Sequence, residues 1–304
     1  MIRPVRFAGN EQTAQSNSFQ QLDDSADSSS VQSRALAEFT GLVDELRRAG
    51  VQVHLFDDTA EPHTPDSIFP NNWVSFHADG SVVLYPMLAQ NRRLERRPGI
   101  VADLNSQHGF QVTRTVDLTH REAEDKFLEG TGSLVLDRIN RIAYACLSPR
   151  TDMDVLGEFA QRLDYEIAAF EALDAGGAAI YHTNVLMSVG TRFAAICSEC
   201  IEPGRRDTVT GMLRSSGRTL IDLSYAQMNS FAGNMLELRT RSGGTVVAMS
   251  AAALASLSAE QKDRLEAAAG AIVSSPIATI ERLGGGSVRC MLAEVHLPRK
   301  QPAP

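Results

Sequence analysis

The 304-residue sequence predicts an α/β fold built from repeating units of a strand pair and a helix, and three observations carry that reading. Short β-like runs come in pairs joined by brief polar turns. Segments with apolar residues at helical spacing separate the pairs. The composition, 43% hydrophobic and 22% charged, suits a large buried core.

The elements follow in order. A Ser/Gln/Asp-rich stretch, residues 15–32, reads as a surface segment. A helix is expected from Arg34 to Ala49, with Ser33 as N-cap, Leu36, Phe39, Leu42, Val43 and Leu46 on one face, and Gly50 as the C-terminal stop. Val51-Gln52-Val53-His54-Leu55-Phe56 reads as a strand. Trp73 to His77 and Ser81 to Tyr85 form a hairpin about Ala78-Asp79-Gly80, since Asp-Gly favours tight β-turns. Ser133 to Asp137 pairs with Ile142 to Ala145, Val185 to Val189 with Phe193 to Ile196, and Met235 to Leu238 with Val246 to Met249. Helices are expected at Asp152 to Leu163 and after Ser258-Ala259-Glu260-Gln261, a capping-box pattern. The alternation suggests ββαβ-type units. No stretch reads as an interdomain linker, so residues 1–304 are taken as a single domain.

The formal net charge of −8 argues against nucleic acid or an anionic membrane as partner. No apolar run approaches the ~20 residues needed to span a bilayer. Met1-Ile2-Arg3-Pro4 passes straight into polar sequence, so a cytoplasmic protein is expected. Four cysteines in so long a chain do not make a disulfide framework. Cys197-Ser198-Glu199-Cys200 lacks the second pair that zinc would need and follows a strand rather than opening a helix, so it reads as coincidence. Cys146 reads as a core cysteine at a strand end. His63, Asp66 and His77 show no recognised metal-ligand spacing, and no metal is expected.

Four segments carry chemistry. In Leu283-Gly284-Gly285-Gly286-Ser287-Val288-Arg289-Cys290-Met291, a thiol follows a glycine run that permits close approach of a ligand; a buried cysteine after a turn is the alternative. In Phe127-Leu128-Glu129-Gly130-Thr131-Gly132, a carboxylate sits between apolar residues and a glycine turn, where it could act as acid, base or orienter, or simply face water. In Ile180-Tyr181-His182-Thr183-Asn184-Val185, a histidine stands at the mouth of an apolar strand, as a proton carrier or a hydrogen-bonded core residue. In Asp66-Ser67-Ile68-Phe69-Pro70-Asn71-Asn72-Trp73, tandem amides beside the single Trp are either turn chemistry or planar hydrogen-bonding groups for a planar ligand. Together Cys290, His182 and Glu129 form a Cys/His/carboxylate set able to activate a thiolate and move protons.

These segments resemble the guanidine-modifying superfamily of arginine deiminases, dimethylarginine hydrolases, amidinotransferases and succinylarginine dihydrolases, and within it the citrulline-utilisation hydrolase branch. The resemblance begins at Arg3-Pro4 and Asn17-Ser18-Phe19-Gln20. It runs through Phe69 to Trp73, Leu128 to Gly132 and His182-Thr183-Asn184, and ends at Gly286 to Met291. It implies a pseudo-fivefold α/β propeller of ββαβ units. It implies Cys290 as nucleophile, His182 as acid/base and Glu129 as its carboxylate partner. Asn72 and Asn184, with Asn17, Asn71 and Asp66, would bind the substrate, and no metal or organic cofactor would be needed. Deiminases of the superfamily usually carry aspartates where this chain has Asn72 and Asn184. An amide loses the charge-assisted grip on a guanidinium but can donate to a neutral carbonyl, which points toward a ureido group such as that of citrulline. The expected function is hydrolysis of citrulline or arginine to ornithine through an S-linked intermediate. The partner is a small amino acid, and self-association into a homo-oligomer is left open. An amidinotransferase or deiminase-type hydrolase, and a non-catalytic binding protein on the same fold, are the alternatives.

Overall fold

Four three-stranded sheets recur along the chain, each made the same way, in a computed structural model that describes residues 1–22 and 27–300. The chain opens with β1 (Ile2–Arg3), which pairs in parallel with β2 (Phe56–Asp57) across the long helix Ser28–Arg48. Strands β3 (Val74–Phe76) and β4 (Ser81–Leu84) form an antiparallel hairpin, and β5 (Arg114–Asp117) joins β4 in parallel after the helix Pro98–Ser106. The same unit returns as β6 (Val135–Asp137), β7 (Ile142–Cys146), helix Met153–Leu163 and β8 (Glu166–Phe170). It returns as β9 (Met187–Val189), β10 (Phe193–Ile196), helix Pro203–Ser215 and β11 (Thr219–Asp222). The last copy is β12 (Leu236–Arg239), β13 (Thr245–Ser250), helix Ala259–Ala269 and β14 (Ala271–Ser275). A short turn suffices for the antiparallel pair, whereas the parallel strand needs a crossover, which the helix supplies.

Helices fill the wedges between neighbouring sheets. Val155, Leu156 and Phe159 of the helix Met153–Leu163 pack against Ala143 and Ala145 of their own sheet and also against Val83, Tyr85 and Val116 of the preceding one. Burying each such side chain contributes roughly 1.5–3 kcal/mol. Asp152 caps this helix by accepting from the N–H groups of Asp154 and Val155, and the capping box of Ser258 and Gln261 forms as the sequence suggests.

Three expectations need correction. The first long helix starts at Ser28, not after Ser33: Asp27 accepts from Ser30 N–H, and Val31 and Ala35 extend the apolar stripe by a turn into the polar stretch. Residues 23–26 of that stretch lie outside the described residues. The Val51 to Phe56 run is not a strand. Val51 makes one isolated bridge to Thr240, and pairing begins only at Phe56, because its partner β1 is two residues long. The parallel strands β5, β8, β11 and β14 were not among the expected strands. They are short and carry polar residues; in Arg114–Asp117 only Val116 is buried.

Buried histidines give the fold a pH dependence. His77 is 3% exposed, its Nε2 bonds the Ser75 hydroxyl at 2.8 Å, and burial pushes its pKa down to about 3. The unfolded chain therefore takes up protons below about pH 6.5 that the folded chain refuses, so stability is full above that pH and is lost as the pH falls toward 3. Between pH 6.5 and 5 this one group is expected to cost about 2 kcal/mol. Denaturant unfolding at pH 7 and 5 should show that loss, and His77→Gln should reduce it. No helix among the described residues is long and apolar enough to cross a membrane.

Candidate active site

Each repeating unit is preceded by a short turn, and these turns supply the chemical side chains. Pro70–Asn72 leads into β3, Gly130–Ser133 into β6 and Thr183–Leu186 into β9. Asn234 ends the turn before β12, and Cys290 lies in the turn that follows the C-terminal helix Ala278–Gly284. Glu129 and His182, expected at the start and the mouth of strands, sit at the N-cap positions of one-turn helices that come before those strands.

Cys290 is 3% exposed. Its Sγ receives two amide donors, Asn234 Nδ2 at 3.3 Å and Asn184 Nδ2 at 3.4 Å. Asn234 also accepts from the Arg289 N–H through Oδ1 at 3.0 Å, which fixes the amide plane. The sulfur also stands 3.7 Å from Asn234 Oδ1, an acceptor for the thiol proton. His182 and Cys290 line the same small cavity, about 10 Å3, room for roughly one water.

Behind His182 stands Glu129, fully buried. Its Oε2 lies 2.9 Å from His182 Nε2 and 3.4 Å from Arg150, while Oε1 accepts from Leu88 N–H at 3.1 Å. Burial works against its ionisation, but Arg150, His182 and Arg92 outweigh it and hold the carboxyl well below the usual range. Burial pushes His182 down to about 4 although Glu129 pulls the other way, so the resting imidazole is neutral and donates Nε2–H to Glu129. Its Nδ1 has no hydrogen-bond partner among the described residues. Glu129 does not line the cavity; it contacts His182, which does.

The remaining expected residues divide. Asn72 lines the cavity, but its Oδ1 is taken by Arg92 at 2.7 Å. Asn184 sits on the Cys290 sulfur and not on an open head-group subsite. Asn17 lines the cavity and donates to Gly285 carbonyl at 3.1 Å. Asp66 lines it too: Oδ2 accepts from Asn10 at 2.8 Å and Thr13 at 3.2 Å, while buried Oδ1 has no partner. Asn71 is buried outside the cavity with neither side-chain polar atom bonded. Among the described residues no group of three His, Cys, Asp or Glu side chains is placed to hold a metal.

Sequence reasoning missed Asn234, Arg92 and Arg150. Arg92 forks onto Glu95 with two bonds of 2.9 Å and approaches Asp66 at 3.7 Å. Arg150 reaches Glu129, Ser16 and the Thr13 carbonyl, and its guanidinium covers the Tyr181 ring at 5.0 Å. Gly233-Asn234 directly before a strand was a readable signal for Asn234. The arginines sit in charged sequence with none.

Close packing at Gly132 offers a test. A Cβ there would stand 2.4 Å from Asn72 Nδ2 and 2.7 Å from His182 Nδ1. Gly132→Ala must displace side chains and not backbone, so we expect kcat to fall at least about tenfold, as misplaced groups cost, with little change in melting temperature. Paired kinetics and thermal melts would check this; unfolding without a specific kinetic loss would contradict it.

Over residues 3–297 the chain matches the family model described as N,N dimethylarginine dimethylhydrolase, eukaryotic. No curated protein matches it. Among solved structures, ArgZ, an arginine dihydrolase from the ornithine-ammonia cycle in cyanobacteria, aligns with a TM-score of 0.74 at 17% identity, covering 98% of this chain and 40% of ArgZ. The chain thus spans about two fifths of that protein. The N-terminal domain of an ArgZ variant, covalently bound to a reaction intermediate, aligns at 0.74 and 18% identity, covering 98% of both chains. DDAH from Pseudomonas aeruginosa, a cysteine-to-serine variant complexed with citrulline, aligns at 0.63 and 12% identity, covering 95% of this chain and 96% of the other. These likenesses show the fold.

Proposed function

The chain belongs to the N,N-dimethylarginine dimethylhydrolase family of the guanidine-modifying superfamily, and from that membership we propose that it is a cysteine-dependent hydrolase of the arginine side chain, giving ornithine. The observation that carries this is the convergence of Cys290, with two amide donors on its sulfur, and the His182–Glu129 pair on one buried cavity. On this reading residues 1–304 are one α/β domain whose five units close as a fivefold propeller.

Cys290 passes its thiol proton to His182 Nδ1 and attacks the central carbon of the guanidino group, forming a C–S bond. The C–N bond to the terminal nitrogen then breaks, and His182 delivers the proton that releases ammonia. A water, deprotonated by His182, adds to the S-linked carbon and expels the thiolate, leaving citrulline. In a second round the thiolate displaces ammonia from the ureido carbon, water frees the resulting carbamate from the sulfur, and that carbamate, protonated on nitrogen, breaks its remaining C–N bond to leave ornithine and carbon dioxide. Glu129 holds the imidazole and offsets the charge it gains.

The structure bears on the choice between a cationic and a neutral head group. Asn72 gives its carbonyl to Arg92 and turns its amide N–H to the Glu129 carbonyl at 3.4 Å, and Asn184 turns its N–H to the sulfur, so both amides are engaged away from a ureido oxygen. The buried cluster holds Asp66, Glu95 and Glu129 against Arg92 and Arg150. Burial pushes Glu95 up to about 7, but the fork from Arg92 is made with its ionised form. One negative charge is then in excess, and Asp66 Oδ1 is unpartnered at the cavity wall. A guanidinium placed there supplies both the charge and the donor, so this reading takes arginine as the entering substrate and citrulline, cationic only at its α-ammonium, as an intermediate.

Ammonia, citrulline and ornithine release should be compared for arginine, methylated arginine and citrulline. Ornithine from arginine is the expected result. No product from any of the three overturns the reading, and transfer to an added amine would make the protein an amidinotransferase. Asn72→Asp places a carboxylate against Arg92 and should raise the arginine-over-citrulline ratio of kcat/KM by about tenfold; a fall in that ratio would argue for the ureido preference.

A further inference from the structure

A second cavity, about 700 Å3, lies behind the turn that carries the thiol: Cys290 lines the small pocket and its neighbour Arg289 lines the large one. The mechanism uses none of it. Residues from all five sheet units form its wall. Its volume falls in the range of small-molecule sites.

The charge of the wall is opposite to that of the molecule. Six arginines line the cavity against four carboxylates and no lysine, two positive charges in excess, in a chain whose formal net charge is −8. Most of these arginines are engaged. Arg218 forks onto Asp137 at 2.7 and 2.9 Å, and Arg289 pairs with Glu294 at 3.3 Å. Arg299 donates to the His108 carbonyl and covers the Phe110 ring, and Arg141 covers the Tyr165 ring. Arg138 and Arg239 are different: neither guanidinium makes a hydrogen bond or ion pair with any described residue, and Arg239 is exposed. Arg138 is only partly exposed and acts electrostatically on Arg289, Glu294 and His77, so its charge bears on the interior of the cavity. A half-buried guanidinium without a partner is costly to keep, and its five donors match a carboxylate or phosphate group.

We propose that this cavity is a second ligand site, for a compact organic or inorganic polyanion held by Arg138 and Arg239. The shared chemistry is two or more closely spaced negative charges, from a phosphorylated compound or a polycarboxylate. An amino-acid substrate of the small pocket carries a single carboxylate and does not meet that description.

The test is calorimetric titration of the full chain, at low ionic strength, with pyrophosphate in one arm and citrate in the other. Saturable one-to-one binding with a dissociation constant on the order of 1 mM or tighter is expected in at least one arm. The responding arm identifies the source of the charge. Arg138→Ala breaks no bond within the protein, so it should fold normally and weaken binding by about tenfold or more, the loss of one charge-assisted partner. Cys290→Ser and saturating ornithine should leave the binding unchanged, which separates this site from the small pocket and makes the result independent of the proposed reaction. No saturable binding in either arm, equal binding by Arg138→Ala, or displacement by ornithine would overturn the proposal.

Discussion

Cys290→Ser is expected to abolish turnover and leave the fold intact. The sulfur sits between Asn184 and Asn234 amides at 3.4 and 3.3 Å, a setting in which a thiolate is held by two donors. A serine hydroxyl is ionised far less readily than a thiol and cannot present the same anion at neutral pH. The side chains are close in size, so the packing of Cys290 among Phe69, Val288 and Met291 changes little. Loss of the nucleophile should lower kcat by about 10⁴-fold or more, with an unchanged melting temperature. Cys197 and Cys200 are the controls. Both are buried, the Cys200 thiol donates to the Cys197 carbonyl at 2.8 Å in a 3-10 turn, and neither lines the small cavity. Serine at either position should leave the rate within a few-fold. A Cys290→Ser enzyme that keeps about a tenth of the rate would remove the thiol from the mechanism.

The parts of this site that sequence exposes are those marked by backbone punctuation. Asn72 follows a proline, Glu129 precedes Gly130, His182 opens a strand-ward turn and Cys290 follows three glycines. The first three stand where the chain turns before a new sheet starts, and Cys290 stands in the turn after the C-terminal helix, with no strand following it among the described residues. Asn234 obeys the same rule after Gly233 and was passed over because no family motif drew attention to it. Arg92 lies in Gln90-Asn91-Arg92-Arg93-Leu94-Glu95-Arg96-Arg97, which reads as solvated charge. Its burial depends on Asp66, Asn72 and Glu95 closing around it, and that is decided by tertiary contacts no local window contains. The fold divides in the same way. Hairpins and capped helices were legible because alternation, turns and caps are local. The parallel strands β5 and β11 were not, since a four-residue run with one buried residue gains its strand character only from its neighbour in the sheet. The substrate preference read from sequence rests on local evidence of the same kind. It weighs amides against the aspartates of relatives and not Asp66 or the Arg92 guanidinium that bonds Asn72.

His182→Asn and Glu129→Gln are expected to fail as one unit. Glu129 touches His182 and does not line the cavity, so it is expected to act on the reaction by holding the imidazole and stabilising its charged form. Alanine at 129 would be a poor probe. It would strand Arg150 in the interior, and an uncompensated buried charge costs about 3–5 kcal/mol. Glutamine keeps the volume and one acceptor, so the change is mainly of charge. His182→Asn should lower kcat by about 10³-fold, Glu129→Gln by about 10²-fold, and the double variant should be little worse than His182→Asn alone. The pH profile separates positioning from packing. Burial already holds His182 down at about 4, with Glu129 the main force in the other direction. Without that carboxylate the imidazole protonates only at still lower pH, so the acid limb of kcat/KM that follows His182 should move to lower pH in Glu129→Gln. Losses that multiply in the double variant, with an acid limb that stays in place, would show that Glu129 does not work through His182.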